Sequence, residues 1–112
     1  MTLNEYQELA QRTSRTDMAH RDHIFNGVMG LCGEAGEVID LVKKHAFQDG
    51  REIRNALRDE LGDVMWYIAE TASAVGLSME EIAEYNISKL RRRYPDGFAA
   101  DRSMFRDEDP EV

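Results

Sequence analysis

No proline interrupts this chain before Pro95, and the only other proline is Pro110. Nothing before Pro95 therefore forbids helix. Alternating β-branched residues, the mark of strands, are nowhere evident, and apolar residues recur at helical spacing instead. Four helices are expected. The first starts at Thr2, where Thr2-x-x-Glu5 forms a capping box ahead of a short stripe of Leu3, Tyr6, Leu9 and Ala10. It frays near TSRTD. A loop, MAHRDHIFN, leads into a second helix from about Asn26 to about Phe47, and Asp49-Gly50 marks the turn after it. The third helix runs from about Glu52 to Val75. It carries Ile53, Leu57, Leu61, Val64, Ile68, Ala72 and Val75 on one side, and Gly76 caps its end. Ser78-x-x-Glu81 forms a second capping box and opens a fourth helix that Pro95-Asp96-Gly97 breaks.

The expected fold is an all-α antiparallel bundle of about four helices in residues 1–100, followed by an acidic tail in residues 101–112. The tail is poor in apolar residues and is expected to be mobile or draped over a neighbour. A chain of 112 residues makes one domain near the size where association often helps complete a core. A homodimer or homotetramer is expected.

Composition excludes several functions. The net charge is −8, whereas binding a phosphate backbone needs a basic face, so no nucleic acid partner is expected. No apolar run approaches the roughly 18 residues of a membrane span, so no membrane partner is expected either. The N-terminus lacks the basic-then-apolar layout of a signal peptide. The single cysteine, Cys32, has no internal disulfide partner and is expected to be a buried small hydrophobe. The expected location is the cytoplasm.

Two stretches break the helical pattern with charge. GLCGEAGEV (Gly30–Val38) holds Glu34 and Glu37, and DELGDV (Asp59–Val64) holds Glu60 and Asp63. At about 100° per residue, each pair falls at the edge of its helix's core stripe, at the same angle in both helices. Antiparallel packing across the short turn lets the pairs face each other. Gly36 and Gly62 lie on the far side of the acids, and each costs about 1 kcal/mol of helix stability against Ala. That cost suggests close approach of another backbone, with exposure to solvent as the alternative. One acid pair at i, i+3 is ordinary on a solvated helix face; two at matching angles bordering the core are not. Four carboxylates brought together repel unless some are protonated or a cation lies among them. All-oxygen ligands favour Mg²⁺, with Mn²⁺ also suitable, over zinc or copper. Di-iron bundles use Glu-x-x-His, and neither pair carries a His.

NGVMGLCGEAGEVIDLVKKH, DELGDVMWYIAETASAVGLSMEEIA and NISKLRRRYPDGF together resemble the MazG-type all-α nucleoside triphosphate pyrophosphohydrolase superfamily. The likeness covers about Asn26 to Phe98. Its hallmark is ExxE, a spacer of about two dozen residues and ExxD. The resemblance implies that Glu34, Glu37, Glu60 and Asp63 bind Mg²⁺ and are the catalytic acids. A nucleoside triphosphate would then be cut between its α- and β-phosphates to give a monophosphate and pyrophosphate. Glu37 or Glu34 would take the proton from the attacking water. Lys44 would reach phosphate oxygens or remain a solvated lysine. Asn86, Lys89 and Arg93 line one face of the fourth helix and would also serve phosphate. Tyr67 would contact sugar or base, or belong to the core. Asn26 would touch nucleotide or cap the helix. Trp66 is expected in a subunit interface or a base-stacking wall, and His20 and His23 as capping or surface residues. A non-catalytic metal- and nucleotide-binding regulatory module is the alternative, and the complete acid quartet favours the enzyme.

Overall fold

The computed structural model describes residues 1–104. The expected tail therefore lies outside the described residues from 105 onward. The helices are α1 (Leu3–Gln11), α2 (His20–Lys44), α3 (Arg54–Ala74), α4 (Met79–Arg93) and α5 (Ala100–Met104). A π-helical turn, His45–Asp49, extends α2. There is no strand among the described residues, so the all-α class holds. No described helix is long and apolar enough to cross a membrane.

Helix ends follow local chemistry. Thr2 Oγ1 accepts from the Glu5 backbone N–H at 3.0 Å and caps α1. α2 begins six residues ahead of the sequence expectation. Asp22 lies in its first turn, favourable to the helix dipole, but Ala19 at the cap position offers no side-chain bond. The missing cap residue is why the pattern alone starts this helix too late. At the far end of α3, Gly76 adopts φ 75°, and the Leu77 N–H reaches back to the Ala72 carbonyl at 2.8 Å. Glycine enters that left-handed conformation at little cost. The short α5 was not expected.

The chain divides into two compact units, Met1–Met79 and a second beginning at Glu80. In the first, α2 and α3 form the most extensive pairing, and α1 packs on α3. Gly27 lies against Thr71, and Gly30 against Tyr67. Numbers rising on one helix as they fall on the other make the pair antiparallel. A Cβ on Gly27 would overlap the Thr71 side chain and lie 3.1 Å from the Thr71 backbone N; one on Gly30 would meet the Tyr67 ring. Close approach therefore occurs at Gly27 and Gly30. Of the two readings for Gly36 and Gly62, no backbone approaches within the chain and the positions are open, since a Cβ there meets nothing within 4 Å. Those two positions face away from the contact between α2 and α3.

α1 sits on α3 through Ala10 and Ala69, joined by Met79, the last residue of this unit, with Tyr6, Trp66 and Ile68 packed around them. Polar straps fix this contact. Gln7 Nε2 donates to Ser73 Oγ and to the Leu77 carbonyl, both at 2.9 Å. Its Oε1 accepts from the Met79 N–H at 2.7 Å. Trp66 Nε1 donates to Thr13 Oγ1 at 2.7 Å and to the Ala10 carbonyl at 3.2 Å. The indole N–H is thus held inside the chain. Cys32, expected to be buried, is exposed.

In the second unit, α4 carries Asn86, Lys89 and Arg93 at i, i+3 and i+7. Beyond it the rings of Tyr94 and Phe98 pack at 5.6 Å across a turn at Pro95-Asp96-Gly97.

Gly27→Ala tests the helix contact. The new methyl meets backbone atoms of α3, which cannot rotate away. Overpacking of about 1–3 kcal/mol should outweigh the helix-propensity gain of about 1 kcal/mol. Urea unfolding should show a lower midpoint; a raised one would mean the helices are not held this closely.

Candidate metal centre

The glycine contacts set the register of the acids. With Gly27 opposite Thr71 and Gly30 opposite Tyr67, one further turn brings Glu34 of α2 to Glu60 and Asp63 of α3. Each of these three offers a carboxylate oxygen, all within 4.8 Å of one another. Glu34 and Glu60 are half-buried and Asp63 is exposed. Glu37 stands outside this group, exposed on the next turn of α2. Its offset of three residues turns it about 60° away from Glu34. Of the four acids expected to bind metal, three converge and Glu37 lies one turn away.

Crowding shows in the protonation of Glu60. The Glu60 carboxyl is pushed above its ordinary value, first by a hydrogen bond with Glu34, then by burial and by the charges of Glu34, Asp63 and Asp59. Two carboxyl groups can hydrogen-bond only if one holds a proton. A divalent cation would relieve the same repulsion. The donor set fits one: all oxygens, closely spaced, with no nitrogen or sulfur, as hard cations prefer.

A cavity of about 350 Å³ opens beside the trio, lined by Glu34, Asp63, Trp66 and Tyr67. The two rings meet edge-to-face, with centroids 5.0 Å apart. Tyr67 packs over Gly30 and also lines the cavity. Lys44 Nζ pairs with Asp40 Oδ2 at 2.8 Å, one turn back on its own helix. Asn26 is exposed inside α2. The helix begins at His20, so Asn26 caps nothing. Asn86, Lys89 and Arg93 belong to the second unit, with Asn86 exposed and the other two half-buried.

Sequence reasoning missed Glu70. It is 2% exposed, the one buried charged residue among those described. Ser14 Oγ donates to its Oε1 at 2.9 Å, His23 Nδ1 lies 2.8 Å from the same oxygen, and Gln11 Nε2 donates to Oε2 at 3.2 Å. Burial pushes the Glu70 carboxyl up, but the bonds from Ser14, His23 and Gln11 pull it further down, to a net value below the ordinary one. The carboxylate is ionised at neutral pH, so His23 Nδ1 is the donor. The stability from this ionised state is present above the ordinary Glu pKa and is lost as pH falls through the lowered one. His23, expected as a capping or surface residue, is a partner of this buried acid. The only signal in the sequence was that Glu70 lies seven residues after Asp63, on the same side of α3.

Fold and donor set together define a helical domain with an acidic centre able to hold a divalent cation. Residues 27–98 match the MazG nucleotide pyrophosphohydrolase domain, and the chain belongs to that family. Over 69 residues it is 44% identical to the Gene 37 protein of Mycobacterium phage L5, covering 58% of this chain and 60% of that protein. The chain thus spans about three fifths of the relative it matches. The relative's name states no activity. No solved structure matches.

Mn²⁺ should raise the melting temperature. A ligand that binds only the folded state stabilises it by about 2.7 kcal/mol at one hundred times its Kd. Glu60→Gln should remove most of this shift, while Lys44→Ala should leave it in place. A shift that survives Glu60→Gln would move the metal elsewhere.

Proposed function

We propose that the chain is a Mg²⁺-dependent nucleoside triphosphate pyrophosphohydrolase that releases a nucleoside monophosphate and pyrophosphate, a housekeeping activity of the cytoplasmic nucleotide pool. One observation carries the reading: Glu34, Glu60 and Asp63, distant in sequence and inside the family-matched segment, converge beside an aromatic-walled cavity. A triphosphate brings several negative charges to an already acidic centre, so these acids can receive it only with cations between.

In this reading Glu34, Glu60 and Asp63 would hold the cation. Mg²⁺ bound there would neutralise the phosphates, polarise the α-phosphorus and ease departure of pyrophosphate. Trp66 and Tyr67 flank the nucleotide and limit water on that side. Glu37 lies outside the trio, so its carboxylate is free for proton transfer, whereas Glu34 is engaged with Glu60. Glu37 takes the proton of the attacking water as that oxygen bonds to the α-phosphorus. The bond from the α-phosphorus to the bridging oxygen breaks, and the electron pair leaves with pyrophosphate.

The reading includes a second copy of the chain. The buried apolar side chains among the described residues are Ala10, Ala69, Ala72 and Met79, and no large side chain is fully buried. Meanwhile Met29 and Ile39 on α2 are each 71% exposed, and Leu61 on α3 is 51% exposed. A groove along α3 is lined by Arg54, Leu57, Arg58, Leu61, Gly62 and Met65. A small chain with so little enclosed apolar surface gains most by burying these faces against its own kind.

A panel of triphosphates with Mg²⁺, read by pyrophosphate release, tests the reaction. Glu37→Gln should lower kcat by about 10²–10⁴-fold, the usual range for general-base catalysis, while Mn²⁺ binding persists. Nucleotide binding with no product from the unaltered chain would favour the regulatory module instead.

Sedimentation tests the association. The unaltered chain should run as a dimer or larger. Leu61→Lys should shift it toward monomer; identical profiles would place the interface elsewhere.

A further inference from the structure

We propose that Glu70, paired with His23, is a positioning residue for the substrate cavity: it clamps the end of α1 and the chain after it, so that Thr13 holds the Trp66 ring in the cavity wall. Glu70 touches none of the acids of the metal centre. Its place on α3 lies seven residues from Asp63, about 10 Å along the axis.

The connection is continuous. Glu70 collects one donor from each of three segments: Gln11 in α1, Ser14 just beyond it and His23 in α2. Thr13 stands between Gln11 and Ser14, so both of its flanks are tied to the same carboxylate. Its Oγ1 donates to the Ala10 carbonyl at 2.8 Å and accepts from Trp66 Nε1 at 2.7 Å. Trp66 precedes Glu70 by one turn of α3. Its ring meets Tyr67 edge-to-face, and both rings wall the cavity beside Glu34 and Asp63. The clamp therefore ends at the substrate cavity and bypasses the cation.

An apolar residue at position 70 would fill this space without the desolvation that a buried carboxylate demands. A carboxylate does what an apolar side chain cannot: it fixes three donors in direction as well as distance. Each donor left unmatched in this buried setting carries a cost, so the bonds support one another.

The role in substrate binding rests on the pyrophosphohydrolase reading; the hold on Trp66 does not. The test uses the full chain with Glu70→Gln, which keeps the size of the side chain but turns an N–H toward groups that are themselves donors. Loss of a hydrogen bond to a buried charge should raise KM for the triphosphate roughly tenfold, with kcat little changed. Affinity for Mn²⁺ alone, read by electron paramagnetic resonance, should stay within about twofold, since the two sites share no partner. The chain has a single tryptophan, so its emission reports Trp66 directly and should shift to the red. Ser14→Ala removes one donor and should move KM and emission the same way by less. If Glu70→Gln does not fold, Ser14→Ala decides. Unchanged KM and emission would overturn the proposal, as would equal losses of Mn²⁺ affinity and kcat. A chain that turns over no triphosphate yet shows the red shift would keep the clamp and lose the reaction.

Discussion

The rest of the structure depends on how closely α2 approaches α3. Two positions without a Cβ, Gly27 and Gly30, let the helices meet at Thr71 and Tyr67. Side chains at either position would push the helices apart by part of an atomic diameter. Carboxylates can cooperate on one cation only when their oxygens lie within a few ångströms, so this spacing decides whether Glu34 meets Glu60 and Asp63 at all. The antiparallel register supplies the second condition, aligning the ExxE turn with the ExxD turn.

The same contact line carries buried or half-buried acid at two places, and the contrast is informative. At one, three carboxylates crowd together with few donors, and Glu60 keeps its proton more firmly than usual. At the other, a single carboxylate is surrounded by donors from three segments and gives up its proton more readily than usual. The first lacks positive charge and suits a cation. The second is already satisfied and suits a structural role. Burial acts in the same direction at both, so the neighbours decide the outcome.

Membership of the MazG nucleotide pyrophosphohydrolase domain family and this geometry support one another without depending on one another. The family match covers α2 from Gly27 onward, α3 and α4, and stops short of α1. Yet α1 and the residues after it supply Thr13, Ser14 and Gln11, which fasten the cavity wall. Residues outside the matched segment thus shape the site inside it.

Much of the fold was legible in the residues because helices are local. Apolar spacing, the Thr2 cap and the glycines at 50 and 76 place most boundaries within a few residues. The start of α2 was not legible, because Ala19 gives no capping signal and the preceding loop reads as polar. The paired acids could be singled out because their i, i+3 spacing and matching angles are properties of each helix alone. What two helices do to each other is not local. Only the tertiary structure showed that Gly27 and Gly30, rather than Gly36 and Gly62, make the contact. It alone showed that Glu37 stands apart from the other acids, that Lys44 turns to Asp40, and that Glu70 gathers its donors from across the chain. Helical periodicity gives direction around one axis; distances and partners between axes appear only when the helices pack.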